Sequence, residues 1–257
     1  MSATGTNGTL FVVEGLRKAY GSKVVLAGVD FVLARGECLV VLGRSGSGKS
    51  VLLRQLNALE RPDAGRILFD GIDLCALGES ELYPIRQRLA MLFQGGALFD
   101  SMTVFDNIAF PLREHTELDA PAIVEVVRRK LAVVDLSGIE EKMPADLSGG
   151  MKKRVALARS LALDPEAVLF DEPTTGLDPM TSASIAALIR RSQRELGATA
   201  VIVTHDLALT RHVADRIAFL DDGRFRFIGS WVEAEQSGDP LLGAFLAGRR
   251  EEEAQVA

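Results

Sequence analysis

The stretch GRSGSGKS, residues 43–50, constrains the fold of this chain more than any other part of its sequence. It follows an apolar run at 37–42 and leads into a helical pattern at 48–58. A loop of the form G-x-x-x-x-G-K-[S/T] wraps its backbone N–H groups around phosphate groups at the start of a helix. The sequence therefore predicts a strand, a phosphate-binding loop (P-loop) and a helix in immediate succession.

Each position of this loop has a physical role in holding a nucleoside triphosphate. The glycines let the backbone approach the phosphates, Lys49 reaches the β- and γ-phosphate oxygens, and the Ser50 hydroxyl can bind Mg²⁺. The predicted nucleotide-binding residues of the loop are Gly43, Arg44, Ser45, Gly46, Ser47, Gly48, Lys49 and Ser50.

The rest of the pattern is that of an α/β protein with a largely parallel central sheet. Short strands in the first third of the chain predict an additional antiparallel layer. Apolar runs bounded by turn residues predict core strands at 37–42, 89–93, 167–171 and 199–204. Helical patterns occur at 48–58, 79–87, 121–135, 149–162, 181–196, 206–214 and 240–247.

The segment between Gln94 and Ser148 has no convincing strand pattern. It is expected to form a mainly helical lobe, at about 95–150, within a single domain that spans 1–257. The charged residues at 249–257 are expected to form a disordered tail.

Composition and charge argue against several classes of function. The 257 residues carry a net charge of −6, whereas nucleic-acid binding depends on clustered Lys and Arg. No apolar run approaches the roughly 18 residues of a membrane-spanning helix, and the N-terminus lacks a secretory signal pattern. We therefore expect no direct membrane insertion and a cytosolic chain, in which Cys38 and Cys75 are reduced core residues.

Two carboxylates end the predicted strand at 167–171, in the sequence AVLFDEP. The carboxyl end of a parallel strand lies at the sheet edge where a P-loop holds its nucleotide. Asp171 is expected to face Mg²⁺. Glu172 is expected to polarise the attacking water as a general base, a role that contributes about 10²–10⁴-fold to the rate.

A second helix start suited to an anion lies at 147–154, in LSGGMKKR. Ser148, Gly149 and Gly150 precede a basic helical run, so free backbone N–H groups and the positive end of the helix dipole face outward. The chain therefore has two candidate phosphate-binding helix starts.

The segments LSGGM, VLFDEP, GLDP and VIVTHD, in this order after the P-loop, resemble an ATP-binding cassette (ABC) ATPase over residues 10–230. The resemblance implies an ABC-type nucleotide-binding domain, with a RecA-like core, an antiparallel β layer and a helical lobe. It also implies that ATP and Mg²⁺ are the cofactors.

The resemblance assigns roles to four further residues. Tyr20 matches the aromatic residue that stacks on adenine, and Gln94 matches the Q-loop glutamine that touches Mg²⁺ and the attacking water. His205 matches the switch histidine that holds the γ-phosphate, and Asp178 matches the D-loop aspartate. Met151 departs from the family pattern, which has glutamine there, so one polar contact is absent; activity is expected to survive.

In the ABC family, two protomers enclose ATP between them. The resemblance implies that Ser148, Gly149 and Gly150 face the nucleotide held by the P-loop of a second copy. The predicted helix at 148–162 would span about 22 Å, and the strand at 167–171 only about 17 Å. The start of this helix is therefore expected to project beyond its own sheet, in an ATP-dependent clamp.

The segment 91–116, together with LSGGM and the late stretch at 239–248, resembles the ATPase subunit of Mla phospholipid transporters and related MCE-linked systems. The resemblance implies an integral-membrane permease, an MCE-domain periplasmic protein and a small STAS-domain subunit as partners. It places the chain at the cytoplasmic face of the inner membrane, held there by the permease. The residues that either line a permease-binding groove or pack the lobe are Leu98, Phe99, Met102 and Phe105.

Other functions share much of this pattern. The ATPase of a polar amino-acid or small-solute importer has every catalytic motif, and a soluble ABC ATPase that remodels proteins or nucleic acid is an alternative of another class. A regulatory nucleotide-binding module without turnover is disfavoured because Glu172 and His205 are both present. His115 and His212 match no motif and are interpreted as surface residues.

Overall fold

The structure, a computed structural model, describes residues 8–248 and arranges their strands in two sheets. The strands are β1 (Thr9–Tyr20), β2 (Lys23–Ala34), β3 (Cys38–Leu42), β4 (Ala64–Phe69), β5 (Ile72–Asp73), β6 (Leu89–Leu92), β7 (Ala167–Asp171), β8 (Thr199–Thr204), β9 (Arg216–Asp221) and β10 (Arg224–Gly229). The smaller sheet has the order β2-β1-β4-β5 and is antiparallel. The larger has the order β10-β9-β3-β8-β7-β6; its strands run parallel except for β10, which pairs antiparallel with β9.

The helices surround the larger sheet and form the region between β6 and β7. They are α1 (Lys49–Leu56), α2 (Glu79–Arg88), α3 (Val104–His115), α4 (Ala120–Val133), α5 (Gly149–Ser160), α6 (Pro179–Leu196), α7 (Leu207–Val213), α8 (Trp231–Glu235) and α9 (Pro240–Leu246). A short 3₁₀ turn, Pro144–Asp146, precedes α5. Among the described residues, no helix is long and apolar enough to cross a bilayer.

Both faces of the larger sheet are buried, which explains why its central strands read as continuous apolar runs. Along β3, Cys38, Val40 and Leu42 contribute to one hydrophobic core, and Leu39 and Val41 contribute to the other. The first core includes residues of α3 to α6, and the second includes residues of the smaller sheet and α1. The carboxyl end of β3, where the phosphate-binding loop begins, is thus fixed by packing on two sides.

A ring of four charged side chains joins the smaller sheet to the larger one. Arg88 donates to Asp70 at 2.6 Å and to Glu166 at 2.5 Å. Arg35 donates to Glu166 at 2.8 Å and also to Asp70. Each carboxylate therefore accepts hydrogen bonds from both guanidinium groups, and the ring links the turns after β2 and β4 to the chain entering β6 and β7.

Most predicted elements are confirmed, with ends that differ by at most two residues, and the antiparallel layer is confirmed as well. The hairpin β9–β10 and the short helix α8 were not predicted from the sequence, and the bounds of α3 were not predicted either. The expected difference in length between α5 and β7 is wrong. The 12 residues of α5 rise about 18 Å and the five of β7 about 17 Å, so length alone does not make the start of α5 project. The predicted tail at 249–257 lies outside the described residues.

Candidate nucleotide site

The phosphate-binding loop connects β3 directly to α1. Gly48 precedes α1 with φ of 102°, and a Cβ atom there would lie 2.9 Å from the carbonyl oxygen of Val25, so the position requires glycine. The buried Lys49 ammonium donates to the loop carbonyls of Gly43 at 2.7 Å and Arg44 at 2.9 Å. Burial lowers the pKa of Lys49. The loop therefore holds a cation against its own backbone carbonyls, at the wall of a cleft.

Asp171, the last residue of β7, lies beside this loop. The Ser50 hydroxyl donates to Asp171 Oδ1 at 2.9 Å, and burial raises the pKa of that carboxyl. A hydroxyl and a carboxylate are hard oxygen ligands of the kind that Mg²⁺ prefers. This donor set fits a magnesium ion bound next to the phosphates.

Glu172 follows Asp171 in a left-handed backbone conformation, with φ of 48°. Non-glycine residues rarely adopt this conformation, and such positions cluster at functional sites. The Thr204 hydroxyl donates to Glu172 Oε2 at 3.2 Å, and His205 Nδ1 lies 3.1 Å from Oε1 and 3.0 Å from Oε2. Lys49 Nζ lies 3.9 Å from Oε1. The carboxylate is thus oriented by groups from β8 and the P-loop.

These groups share a cleft of about 650 Å³, hereafter the nucleotide cleft. Tyr20 lies on its wall with a half-exposed ring, and its hydroxyl donates to Glu60. The predicted site residues that line the cleft are Tyr20, Arg44, Ser45, Gly46, Gly48, Lys49, Ser50, Gln94, Glu172 and His205. Gly43, Ser47 and Asp171 do not line the cleft, but Gly43 accepts from the lining residue Lys49 and Asp171 accepts from the lining residue Ser50.

The second predicted phosphate-binding helix start does not line this cleft. Ser148 caps α5, and its hydroxyl accepts from the Met151 N–H at 3.3 Å. The Met151 side chain packs against the hydrophobic core, so the departure from the family glutamine is accommodated by burial. A Cβ atom at Gly149 would lie 3.7 Å from Leu177, and one at Gly150 would lie 2.6 Å from Thr181.

Asp178 lies on the same surface as these glycines. Its carboxylate caps α6 and accepts from the backbone N–H groups of Met180 and Thr181, each at 3.0 Å. Residues 148–150 and 177–181 therefore form one continuous surface, hereafter the signature face. The structure separates the predicted site residues into two groups, one in the cleft and one on this face.

A third feature is an apolar groove of about 570 Å³ between α2, α3 and the segment after β6. Phe99 and Phe110 line it with ring centroids 5.1 Å apart. Of the four residues expected either to line such a groove or to pack the lobe, Phe99 alone lines it, and Leu98 and Phe105 pack against the core. The groove is lined by Tyr83, Arg86, Gln87, Ala90, Met91, Phe93, Ala97, Phe99, Phe110, Pro111, His115, Arg159, Ser160 and Leu163.

Apart from Phe99, sequence reasoning proposed none of these lining residues, and Tyr83 and His115 stand out among those it missed. His115 is a partly exposed residue of the groove wall, and its Nδ1 lies 2.8 Å from the Tyr83 hydroxyl, a contact that the interpretation as a surface residue did not anticipate. His212 is exposed, as expected. No motif marks Tyr83 or His115, because their pairing depends on how α2 packs beside α3.

A phosphate-binding loop, a strand-end carboxylate that accepts from its Ser50, and a second carboxylate that lines the cleft together define a P-loop nucleoside triphosphatase. The family model described as ABC transporter matches residues 26–175. The chain therefore belongs to the ABC transporter family, and it is an ATP-hydrolysing protein.

Individual relatives agree with this assignment. The chain is 44% identical to the probable ribonucleotide transport ATP-binding protein mkl of Mycobacterium tuberculosis, over 95% of its own length and 68% of that protein. It is 42% identical to the intermembrane phospholipid transport system ATP-binding protein MlaF of Escherichia coli, over 89% of its own length and 85% of that protein. The dimeric cassette MJ0796, in a post-hydrolysis state bound to ADP and Pi, superposes with a TM-score of 0.79 at 30% identity, covering 86% of this chain and 98% of that one.

Proposed function

We propose that this chain is the ATPase subunit of a membrane transporter for phospholipids, and that it works as two identical copies that close on ATP. The proposal is supported by two separate helix starts suited to an anion on one chain, one in the nucleotide cleft and one on the signature face. Phospholipid as the cargo is supported by the identity to the Escherichia coli phospholipid transport protein.

The cleft residues suit the successive parts of ATP. The exposed ring face of Tyr20 offers a stacking surface for adenine, and the loop from Gly43 to Ser50 surrounds the phosphates. Ser50, Asp171 and Gln94 are the oxygen donors for Mg²⁺, which when bound would neutralise charge on the β- and γ-phosphates.

Glu172 is the proposed general base. Its carboxylate is fixed by Thr204 and His205 and would accept the proton of the attacking water. His205 is largely exposed beside Glu172, so its ring can also reach the γ-phosphate. Lys49 would exchange its two carbonyl partners for phosphate oxygens, which are stronger acceptors for an ammonium group.

The signature face would complete the cleft of the second copy. Ser148, Gly149 and Gly150 present the N–H groups and the positive dipole end of α5 outward, and Asp178 lies beside them. ATP would thus bridge two copies, and loss of the bridging phosphate would release them. MJ0796, which is dimeric in a state bound to ADP and Pi, supports this arrangement.

The apolar groove is the proposed docking site for the permease. It has aromatic walls, and contiguous exposed apolar surface of this kind marks a site for a protein partner. The groove begins at the segment that follows Gln94, so a permease helix seated there would contact the same segment that enters the nucleotide cleft. The chain would then lie at the cytoplasmic face of the inner membrane, held there by the permease.

An MCE-domain periplasmic protein and a small STAS-domain subunit complete the proposed transporter, by resemblance to Mla systems. A ribonucleotide cargo is the second candidate, because the mycobacterial relative whose name specifies it is 44% identical to this chain.

The cargo is tested by purifying the chain in detergent from its native membrane and identifying the bound proteins and small molecules by mass spectrometry. We expect a permease, an MCE-domain protein and phospholipid. After reconstitution in liposomes, ATP should drive transfer of a fluorescent phospholipid and not of a labelled ribonucleotide. Recovery of a solute-binding protein, or transfer of the ribonucleotide alone, would contradict the phospholipid assignment.

The docking site is tested in the same purification with Phe99→Asp. This change places a charge in the groove and should abolish recovery of the permease. The matched control is Val232→Asp, because Val232 is also an exposed apolar residue but lies on α8, outside the groove. Equal recovery of permease with both variants would contradict this placement.

A further inference from the structure

Lys153 is a buried lysine on α5, and nothing in the motifs marks it. Its side chain is 8% exposed, and its ammonium donates to the backbone carbonyl of Gln94. Burial lowers the pKa of Lys153, and attraction from Asp171 and Glu172 opposes that shift. A second ammonium, besides Lys49, therefore lies within electrostatic reach of the carboxylate pair.

Burial of an ammonium group is costly unless specific interactions compensate for it. A methionine has a similar length and would pack at this position without that cost. The interaction with the Gln94 carbonyl is therefore a contact that an apolar side chain could not supply.

Lys153 lies one turn after the start of α5, between the signature face and Gln94. Lys153 follows Gly149 by four residues and Gly150 by three, so all three lie on one side of the helix. The first turn of α5 belongs to the signature face. In the next turn, Lys153 contacts Gln94, which lines the nucleotide cleft. One rigid helix thus connects the two phosphate-binding surfaces of the same chain.

We propose that Lys153 is a positioning residue that fixes the backbone at Gln94 and couples occupancy of the signature face to the geometry of the nucleotide cleft. When the nucleotide of the second copy engages the start of α5, Lys153 holds Gln94 in the orientation needed for hydrolysis. This inference rests on the proposed role of Gln94 and adds a connection between the two sites.

The test compares steady-state ATPase activity of Lys153→Met, Lys153→Arg and the control Lys152→Met in the full-length chain. Lys152 is the adjacent lysine on the same helix and is not buried. We expect Lys153→Met to lower kcat about tenfold with little change in KM, within the range of about 5–150-fold that is typical of coupling between sites. Lys153→Arg should restore most of the activity, and Lys152→Met should match the parent chain.

A double-mutant comparison separates positioning from general destabilisation. If Lys153 acts through Gln94, Lys153→Met should cause no further loss of kcat in a Gln94→Ala background. An undiminished kcat in Lys153→Met, or an equal loss in both backgrounds, would overturn the inference. If Gln94→Ala alone leaves kcat unchanged, the proposed role of Gln94 fails and this inference fails with it. If Gln94→Ala loses activity and Lys153→Met does not, only this inference fails.

Discussion

The nucleotide cleft and the signature face each contain a helix start suited to an anion, but they differ in how many other groups of the same chain surround that helix start. In the cleft, α1, the end of β7, the end of β8 and Tyr20 converge on one volume, so a ligand meets groups on several sides. On the signature face, Ser148 and Asp178 cap their own helices, and a Cβ atom at Gly149 or Gly150 would meet the side chain of Leu177 or Thr181. A surface that lies outside the chain's own cleft, yet carries an anion-binding helix start, is suited to a ligand held by another molecule.

The largest expected effect comes from removing the proposed base of the cleft. Glu172→Gln should lower kcat about 10²–10⁴-fold, because the amide cannot accept the proton of the attacking water. The affinity for ATP should be nearly unchanged, because the P-loop stays intact. Phosphate release and equilibrium ATP binding measure the two properties. Glu125→Gln, on the exposed side of α4, is the control, and a loss of less than tenfold in Glu172→Gln would refute the assignment.

The next test acts on the signature face alone. Gly149→Asp introduces a carboxylate at the first turn of α5, where the helix dipole favours it and where only Leu177 is near, so the fold should be preserved. The new carboxylate would face the phosphates of the ATP held by the second copy. Two like charges about 4 Å apart repel by about 4 kcal/mol at an effective dielectric constant of 20, so the rate of hydrolysis should fall about 10²-fold or more. Binding of ATP to the chain's own cleft should not change.

Gly149→Ala is the matched variant for this test, because it adds a methyl group without charge. It should retain activity within a few-fold of the parent chain. The comparison between the two surfaces would fail if Gly149→Asp weakened ATP binding to the same extent as it weakened hydrolysis.

A smaller effect is expected at the wall of the cleft. Tyr20→Ala removes the proposed stacking surface and should weaken ATP binding by about 1–3 kcal/mol, which calorimetry can measure. Tyr20→Phe keeps the ring and loses only the hydrogen bond to Glu60, so its affinity should remain close to that of the parent. If the two variants bind ATP equally well, adenine does not stack on this residue.

The smallest effect concerns the ionic ring between the two sheets. The Arg88 hydrogen bonds hold the pKa values of Asp70 and Glu166 below their usual range. Their contribution to stability is therefore present at neutral pH and is lost as pH falls through the lowered pKa values, below about pH 4. These side chains are partly exposed, so each pair contributes no more than about 1 kcal/mol.

Arg88→Met should accordingly lower the melting temperature by about 2–4 °C at pH 7, and by less at pH 3. Thermal unfolding followed by circular dichroism measures this difference, with the exposed Arg128→Met on α4 as the control. An equal decrease at both pH values would show that the loss comes from packing of Arg88 over the Phe69 ring rather than from charge.

The parts of this molecule that the sequence predicted are those in which local spacing determines local structure. The loop at 43–50 and the carboxylates that end β7 follow from a strand, a turn and a helix in direct succession. The hairpin β9–β10 was missed although Asp222 and Gly223 form a recognisable turn between its strands. Both residues have positive φ, and an Asp-Gly pair in this conformation favours a two-residue hairpin turn.

The features that the sequence did not predict depend on packing between segments that are distant along the chain. The groove pairs Tyr83 with His115, 32 residues later, and Lys153 reaches Gln94 across 59 residues, so neither contact leaves a pattern in the sequence. Leu98 and Phe105 are apolar like Phe99, and only the tertiary structure distinguishes these two core residues from the groove residue Phe99.

The most direct measurement of the central claim is the molar mass of Glu172→Gln with ATP and Mg²⁺, determined by light scattering after size exclusion. We expect a mass near twice the 27.7 kDa of the chain, which returns to 27.7 kDa without nucleotide or when Gly149→Asp is added. A variant that binds ATP yet stays at 27.7 kDa, or a dimer that forms equally well with Gly149→Asp, would contradict it.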